Sequence, residues 1–121
     1  MNGAKNWFFA DGNLPAKTGS GAMESHEALM LFNTLPEQVA VRLDIYFSDR
    51  PPIRDIRMTV PGERVISLRL DHPEDLGGAV IPVLTQYALR VRASHDIVVQ
   101  FGRLDVTHPN LSYYVGVGYH E

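Results

Sequence analysis

Hydrophobic and polar residues alternate along much of this chain. Over 39–47, Val39, Val41, Leu43, Ile45 and Phe47 alternate with Ala40, Arg42, Asp44 and Tyr46. A period of two puts every second side chain on one face, so this segment predicts a strand with one buried face. A helix would scatter the same residues around its circumference. The alternation recurs at Ile56, Met58 and Val60, at Ile66, Leu68 and Leu70, and at Tyr87, Leu89 and Val91. It returns a last time at Leu111, Tyr113, Val115, Val117 and Tyr119. Three further segments predict strands on composition: Ala4–Ala10 carries Trp7, Phe8 and Phe9, which suit a pleated surface. Ser25–Asn33 and Asp96–Arg103 are apolar on both faces, as in a central strand covered on both sides, and Ile97, Val98 and Val99 are β-branched, which favours strand over helix.

The breaks between these segments have turn chemistry. Asp11-Gly12-Asn13-Leu14-Pro15 and Gly19-Ser20-Gly21 predict a long polar loop. Asp49-Arg50-Pro51-Pro52 stops a strand, because proline cannot donate to a ladder. Pro61-Gly62-Glu63 has the length of a hairpin turn, and His108-Pro109-Asn110 marks the last one. Asp71–Gly78 predicts one helical turn, with Asp71 as its N-cap and Pro73 near its start. About eight short strands with turns roughly every ten residues, and no long helix, predict an antiparallel β-sandwich, jelly-roll-like in type, as a single domain over 1–121.

Composition narrows the functional classes. The chain has 121 residues, no cysteine and a formal net charge of −3. Disulfides, thiolate metal sites and cysteine nucleophiles are excluded. The slightly acidic balance gives no global basic field, which argues against nucleic acid as a partner. No apolar run reaches membrane-spanning length and the first residues lack the apolar centre of a signal peptide, so the cytoplasm is the expected location. No phosphate loop, nucleophile elbow or paired-carboxylate motif is present, and no cofactor or metal is expected. Apolar residues on both faces of two strands, with Tyr113, Tyr114 and Tyr119 at the end, exceed what so small a chain can hide; association of several copies is the expected remedy.

Several short words occur in a fixed order: Trp7-Phe8-Phe9-Ala10-Asp11-Gly12-Asn13-Leu14-Pro15, Ser25-His26-Glu27, Leu31-Phe32-Asn33, Ile45-Tyr46-Phe47-Ser48-Asp49-Arg50, and Arg57-Met58-Thr59-Val60-Pro61 with Arg64. Ile81-Pro82, Thr85-Gln86-Tyr87-Ala88, Ile97-Val98-Val99-Gln100 and Arg103-Leu104-Asp105 follow. This series, from about residue 5 to 106, resembles the soluble sensory rhodopsin transducer family. The resemblance implies a cytoplasmic β-sandwich that assembles as a homotetramer and is akin to carbohydrate-binding modules. It implies a signalling or ligand-binding role, with a small polar, sugar-like ligand, a membrane photoreceptor or another protein as partner. The tail from Val106 to Glu121 is expected to depart from the family pattern.

The candidate site residues are Trp7, Asp11, His26, Glu27, Arg64, Arg103 and Asp105. Successive strand residues face opposite ways, so His26 and Glu27 cannot act side by side on one ligand. One could line a site while the other braces a neighbour; alternatively Ser25 and His26 satisfy loop backbone groups. Arg103 and Asp105 share a face with Ile97, Val99 and Phe101, placing Arg103 at the core rim. There it suits sugar hydroxyls or a carboxylate, or an internal ion pair. Trp7 with Asp11 would make a sugar platform, or Trp7 belongs to the core, and the Asp11–Pro15 loop would shape the pocket. Arg57, Arg64, Arg50 and Arg54 form the most basic stretch, either a local anion site or a solvated face. The expected function is non-enzymatic signalling or ligand binding. The alternative is a small enzyme or accessory protein of carbohydrate metabolism, with His26 or Glu27 as general base.

Overall fold

The computed structural model describes residues 2–16, 23–106 and 112–121. It contains β1 (Ala4–Asn13), β2 (His26–Asn33), β3 (Val39–Phe47), β4 (Ile53–Val60), β5 (Arg64–Arg69), β6 (Gln86–Asp105), β7 (Ser112–Gly116) and β8 (Tyr119–His120). A 3₁₀ turn, Pro73–Leu76, lies between β5 and β6. Every strand pairing is antiparallel. One sheet runs β4-β3-β6-β1-β8. The other runs β5-β2-β6-β7. The all-β sandwich expected from the alternation is therefore present.

β6 belongs to both sheets. Its first half pairs with β1 and β3 through Gln86–Ala93, and its second half pairs with β2 and β7 through Val98–Asp105. The alternation predicted two strands here, because Ala93, Ser94, His95 and Asp96 interrupt the apolar pattern. These residues occupy the corner where the chain leaves one sheet for the other, and Ser94 and His95 are exposed. The inward positions nevertheless keep one parity through the corner: Tyr87, Leu89 and Val91 before it, Ile97, Val99 and Phe101 after it. A strand that switches sheets in this way covers both ends of one core.

The buried side chains form one cluster, with Leu29 and Leu31 from β2, Leu43 and Ile45 from β3, Val60 from β4 and Leu89, Val91 and Ile97 from β6. Other boundaries depart from the sequence pattern. β1 continues to Asn13, so Asp11 and Gly12 lie in a strand rather than a loop. The C-terminal alternation is divided into β7 and β8 around Val117 and Gly118. The predicted turns at 19–21 and 108–110 fall outside the described residues. His72 rather than Asp71 precedes the 3₁₀ turn, while Asp71 receives the Arg69 guanidinium at 2.8 and 2.7 Å. β2 and the second half of β6 are central in their sheet, and among the described residues their outer faces are only partly covered. Phe32 on the outer face is 43% exposed.

The Pro61–Glu63 turn is short but joins no hairpin. β4 pairs with β3 and β5 with β2, so the turn carries the chain across the sandwich. Glu63 adopts a left-handed φ of 54° and its N–H donates to the Leu35 carbonyl at 2.8 Å. A Cβ on Gly62 would lie 1.9 Å from the Pro36 carbonyl oxygen. Gly62→Ala is therefore expected to displace the crossover and lower stability by about 1–3 kcal/mol in urea denaturation. Unchanged stability would contradict this close approach.

Candidate functional site

Glu27 faces inward from β2 and is fully buried. A buried carboxylate must be matched by donors, and here several strands supply them. Tyr87, at the start of β6, donates its hydroxyl to Oε1 at 2.5 Å. Arg103, near the end of β6, donates Nε to Oε2 at 2.7 Å. The Asn13 backbone N–H, at the end of β1, donates to both carboxylate oxygens at 3.0 and 3.3 Å. The Glu27 carbonyl accepts the Leu70 N–H at 3.0 Å. One side chain thus clamps the ends of β1 and β2 to both halves of β6.

The clamp determines how Arg103 is presented. Its Nη2 donates to the Asp11 carbonyl at 3.0 Å, and its guanidinium lies 5.1 Å from the centroid of the Tyr114 ring on β7. About one-fifth of the side chain is exposed. Burial opposes the guanidinium charge, but the hydrogen bond and charge of Glu27 outweigh it, so Arg103 sits above its ordinary range. Tyr87 is also pushed well above the usual phenol range, first by burial and then by the adjacent Glu27 charge. Gly12 is the close neighbour that makes room for its ring: a Cβ there would lie 2.4 Å from the Tyr87 ring carbons.

The remaining candidates lie partly around this clamp and partly away from it. Asp11 contributes its carbonyl. His26 faces away from Glu27, and its Nδ1 bonds the Glu24 carbonyl at 2.8 Å. Ser25 accepts the Val106 N–H at 2.9 Å. Asp105 is half-buried at the end of β6, opposite Ser112. Trp7 is buried in the core, and its indole N–H is shared between the Ala4 and Ile97 carbonyls, each at 3.1 Å. Arg64 lies across from Asn33, at the other end of β2 from Glu27, and its Nη1 bonds the Glu63 carbonyl at 3.0 Å. The structure therefore brings Asp11, Glu27 and Arg103 together and leaves Trp7 and Arg64 elsewhere. Asn13 lies in the Asp11–Pro15 segment expected to shape the pocket, whereas Tyr87 and Tyr114 were not among the expected members. Tyr87 offered one signal, an inward strand position carrying a hydroxyl that burial obliges to find a partner.

An all-β sandwich closed at one end by a buried ion-pair clamp is the class of protein these observations define. The profile of the Anabaena sensory rhodopsin transducer family matches residues 2–120, and the chain belongs to that family. It is similar to a solved structure of Thermotoga maritima protein 1070, with 33% identity and a TM-score of 0.86 over 100% of this chain and 97% of that one. It is also similar to the Anabaena sensory rhodopsin transducer, with 35% identity and a TM-score of 0.73 over 86% of this chain and 90% of that one. No curated protein matches the chain. Among the described residues, no group of three or more histidine, aspartate or glutamate side chains is gathered as a metal site, and no helix is long and apolar enough to cross a membrane.

The clamp makes two expected outcomes specific. Arg103→Met leaves Glu27 buried without its cation and should cost about 3–5 kcal/mol. Adding Glu27→Gln should recover part of that loss in a double-mutant cycle by urea denaturation; strictly additive losses would contradict the pairing. Tyr87→Phe should cost about 1–3 kcal/mol by removing one donor from a buried carboxylate. Because the Tyr87 pKa is raised in the folded state, its contribution is complete below the unfolded phenol value of about 10 and is lost above it. Wild-type stability should therefore fall above about pH 10 more steeply than that of Tyr87→Phe. Identical alkaline slopes would contradict the buried phenol.

Proposed function

We propose that this protein is a non-enzymatic signalling module that works as a cytoplasmic homotetramer and recognises a small polar, sugar-like ligand at the Arg103–Tyr114 edge. The observation that carries the reading is the pre-set guanidinium. Glu27 and the Asp11 carbonyl fix Arg103, and Tyr114 lies against it, so the remaining guanidinium N–H groups and an aromatic ring are held together at the sandwich end. That combination suits hydroxyl recognition with ring stacking. Asp11, His26 and Asp105 border this edge in the proposal. Membership of a signalling family and likeness to a rhodopsin transducer support the signalling part. Both oxygens of Glu27 already accept hydrogen bonds inside the protein, which favours bracing over general-base work.

The homotetramer is supported by the outer face of the β5-β2-β6-β7 sheet. Val65, Phe32 and Val98 lie in one cross-strand row beside Met30 and Gln100, and they line an apolar depression of about 320 Å³. Such a surface is ordinarily covered by another molecule. A second reading, a protein partner such as a membrane photoreceptor, is favoured by a different observation: Tyr113, Val115 and Tyr119 are exposed on β7 and β8.

Light scattering on the purified protein should give four times the 13.5 kDa chain mass, and Phe32→Glu with Val65→Glu should reduce it. A monomeric wild type would overturn the assembly. A thermal-shift panel of sugars and sugar acids should contain a stabilising ligand, by roughly 2.7 kcal/mol at about 100 times its Kd, and Tyr114→Ala should abolish the shift. No shift anywhere in the panel would overturn the sugar reading and leave the protein partner.

A further inference from the structure

The outer face of the other sheet carries a second feature, separate from the Glu27 clamp. Arg57, Arg42 and Arg92 stand in one cross-strand row on β4, β3 and β6. They line a groove of about 540 Å³ together with Ala40, Thr59 and Ser94. That volume lies in the range of small-molecule sites.

The charges in this groove are unequal. Arg92 Nη2 reaches both oxygens of Asp44, at 2.9 and 3.0 Å, although Asp44 lies on the outward side of β3; the side chains above it leave it buried. Asp55 serves two guanidiniums, with Arg57 at 3.0 Å and Arg42 at 3.7 Å. Three cations therefore face two carboxylates, in a chain whose formal net charge is −3. Among the described residues, Arg42 donates no hydrogen bond, and the buried Nε of Arg92 has no partner. Arg90, on the same sheet face, adds further positive charge; it packs over Phe8, and its Nε is likewise unpartnered.

The backbone is shaped around the same place. The β3–β4 register shifts between Leu43 and Ile45, and Asp55 adopts a left-handed φ of 66°. The Asp55 N–H is held by Asp44 Oδ1 at 2.8 Å. A strained residue inside a strand, beside a bulge, is a device that aims a side chain. Here it keeps Asp55 between Arg42 and Arg57. The Arg57 hydrogen bond, followed by the charges of Arg57, Arg42 and Arg92, holds the Asp55 carboxyl below its usual range.

We infer that this groove is a binding site for a small phosphorylated or otherwise doubly anionic molecule, gripped by Arg42 and Arg57 against Arg92, with its body beside Ala40, Thr59 and Ser94. Guanidinium forks match phosphate oxygens bidentately, and an incoming dianion would take over the donors that Asp55 shares. The other arginines of the basic stretch are engaged elsewhere: Arg50 with Asp49, Arg54 over Tyr46, and Arg64 with its own turn. The positive charge is therefore a compact cluster rather than the extended stripe that a nucleic-acid backbone requires.

Titration with inorganic pyrophosphate, followed by amide NMR, should give saturable shifts at 40–42, 57–59 and 92–94. The Arg42→Ala/Arg57→Ala variant should weaken binding by about tenfold or more, the loss of at least one charge-assisted hydrogen bond. Asp55→Asn should strengthen it, since asparagine tolerates the left-handed backbone. Arg50→Ala, which removes an exposed guanidinium outside the groove, should leave it unchanged. No saturable shift, or binding that survives loss of both arginines, overturns the proposal. So does a mixed-sequence DNA duplex that binds through these arginines while pyrophosphate fails to compete.

Discussion

A buried carboxylate imposes the organising constraint on this sandwich. Removing an ion from water costs several kcal/mol even after the protein relaxes, so Glu27 is compatible with the fold only when its donors are in place. Those donors come from the last residue of β1 and from both ends of β6, the strand that spans the two sheets. Satisfying the charge therefore fixes where β1 ends, how the two halves of β6 face each other and how near Gly12 approaches the Tyr87 ring. The apolar core would tolerate many arrangements of similar volume; the carboxylate selects among them.

The same strand carries a polar anchor at its other end. Asn33 is buried, and its amide donates to the Glu37, Val60 and Pro61 carbonyls while its Oδ1 accepts the Leu35 N–H. β2 is thus hydrophobic in the middle and hydrogen-bonded at both limits, which pins its register. The anchors differ in what they present outside. At the Asn33 end, all four contacts are backbone groups, three in the adjoining connections and one at the end of β4. At the Glu27 end, a cation and an aromatic ring emerge at the surface. The two outer sheet faces also differ, one bearing a cluster of arginines and the other Phe32 and Val65. The molecule thus presents outer faces of different chemistry.

The strands were legible wherever one face was buried and the other wet, as in β3, because burial alone decides such positions. Reading failed at 93–96, where a corner residue and a turn residue have the same polarity and only the pairing partners distinguish them. It failed again at Pro61–Glu63, since turn length says nothing about which sheet receives the next strand. Within the candidate site, the opposite orientations of His26 and Glu27 followed from the period of two, and so did the position of Arg103 at the core rim. The partnership of Glu27 with Arg103, 76 residues apart, did not. Nor did the groove arginines: Arg42 and Arg92 are unremarkable polar positions on separate strands until β3 and β6 are placed side by side.

Glu27 holds the end of β1 as firmly as the core holds its middle. Native-state hydrogen exchange at the Asn13 amide reads this hold, because that N–H sits at a strand terminus that would otherwise fray. The Asn13 amide is expected to exchange only through global unfolding, with the same opening free energy as the amides of Leu29 and Leu89. Fast local exchange at Asn13, with those core amides still protected, would contradict it.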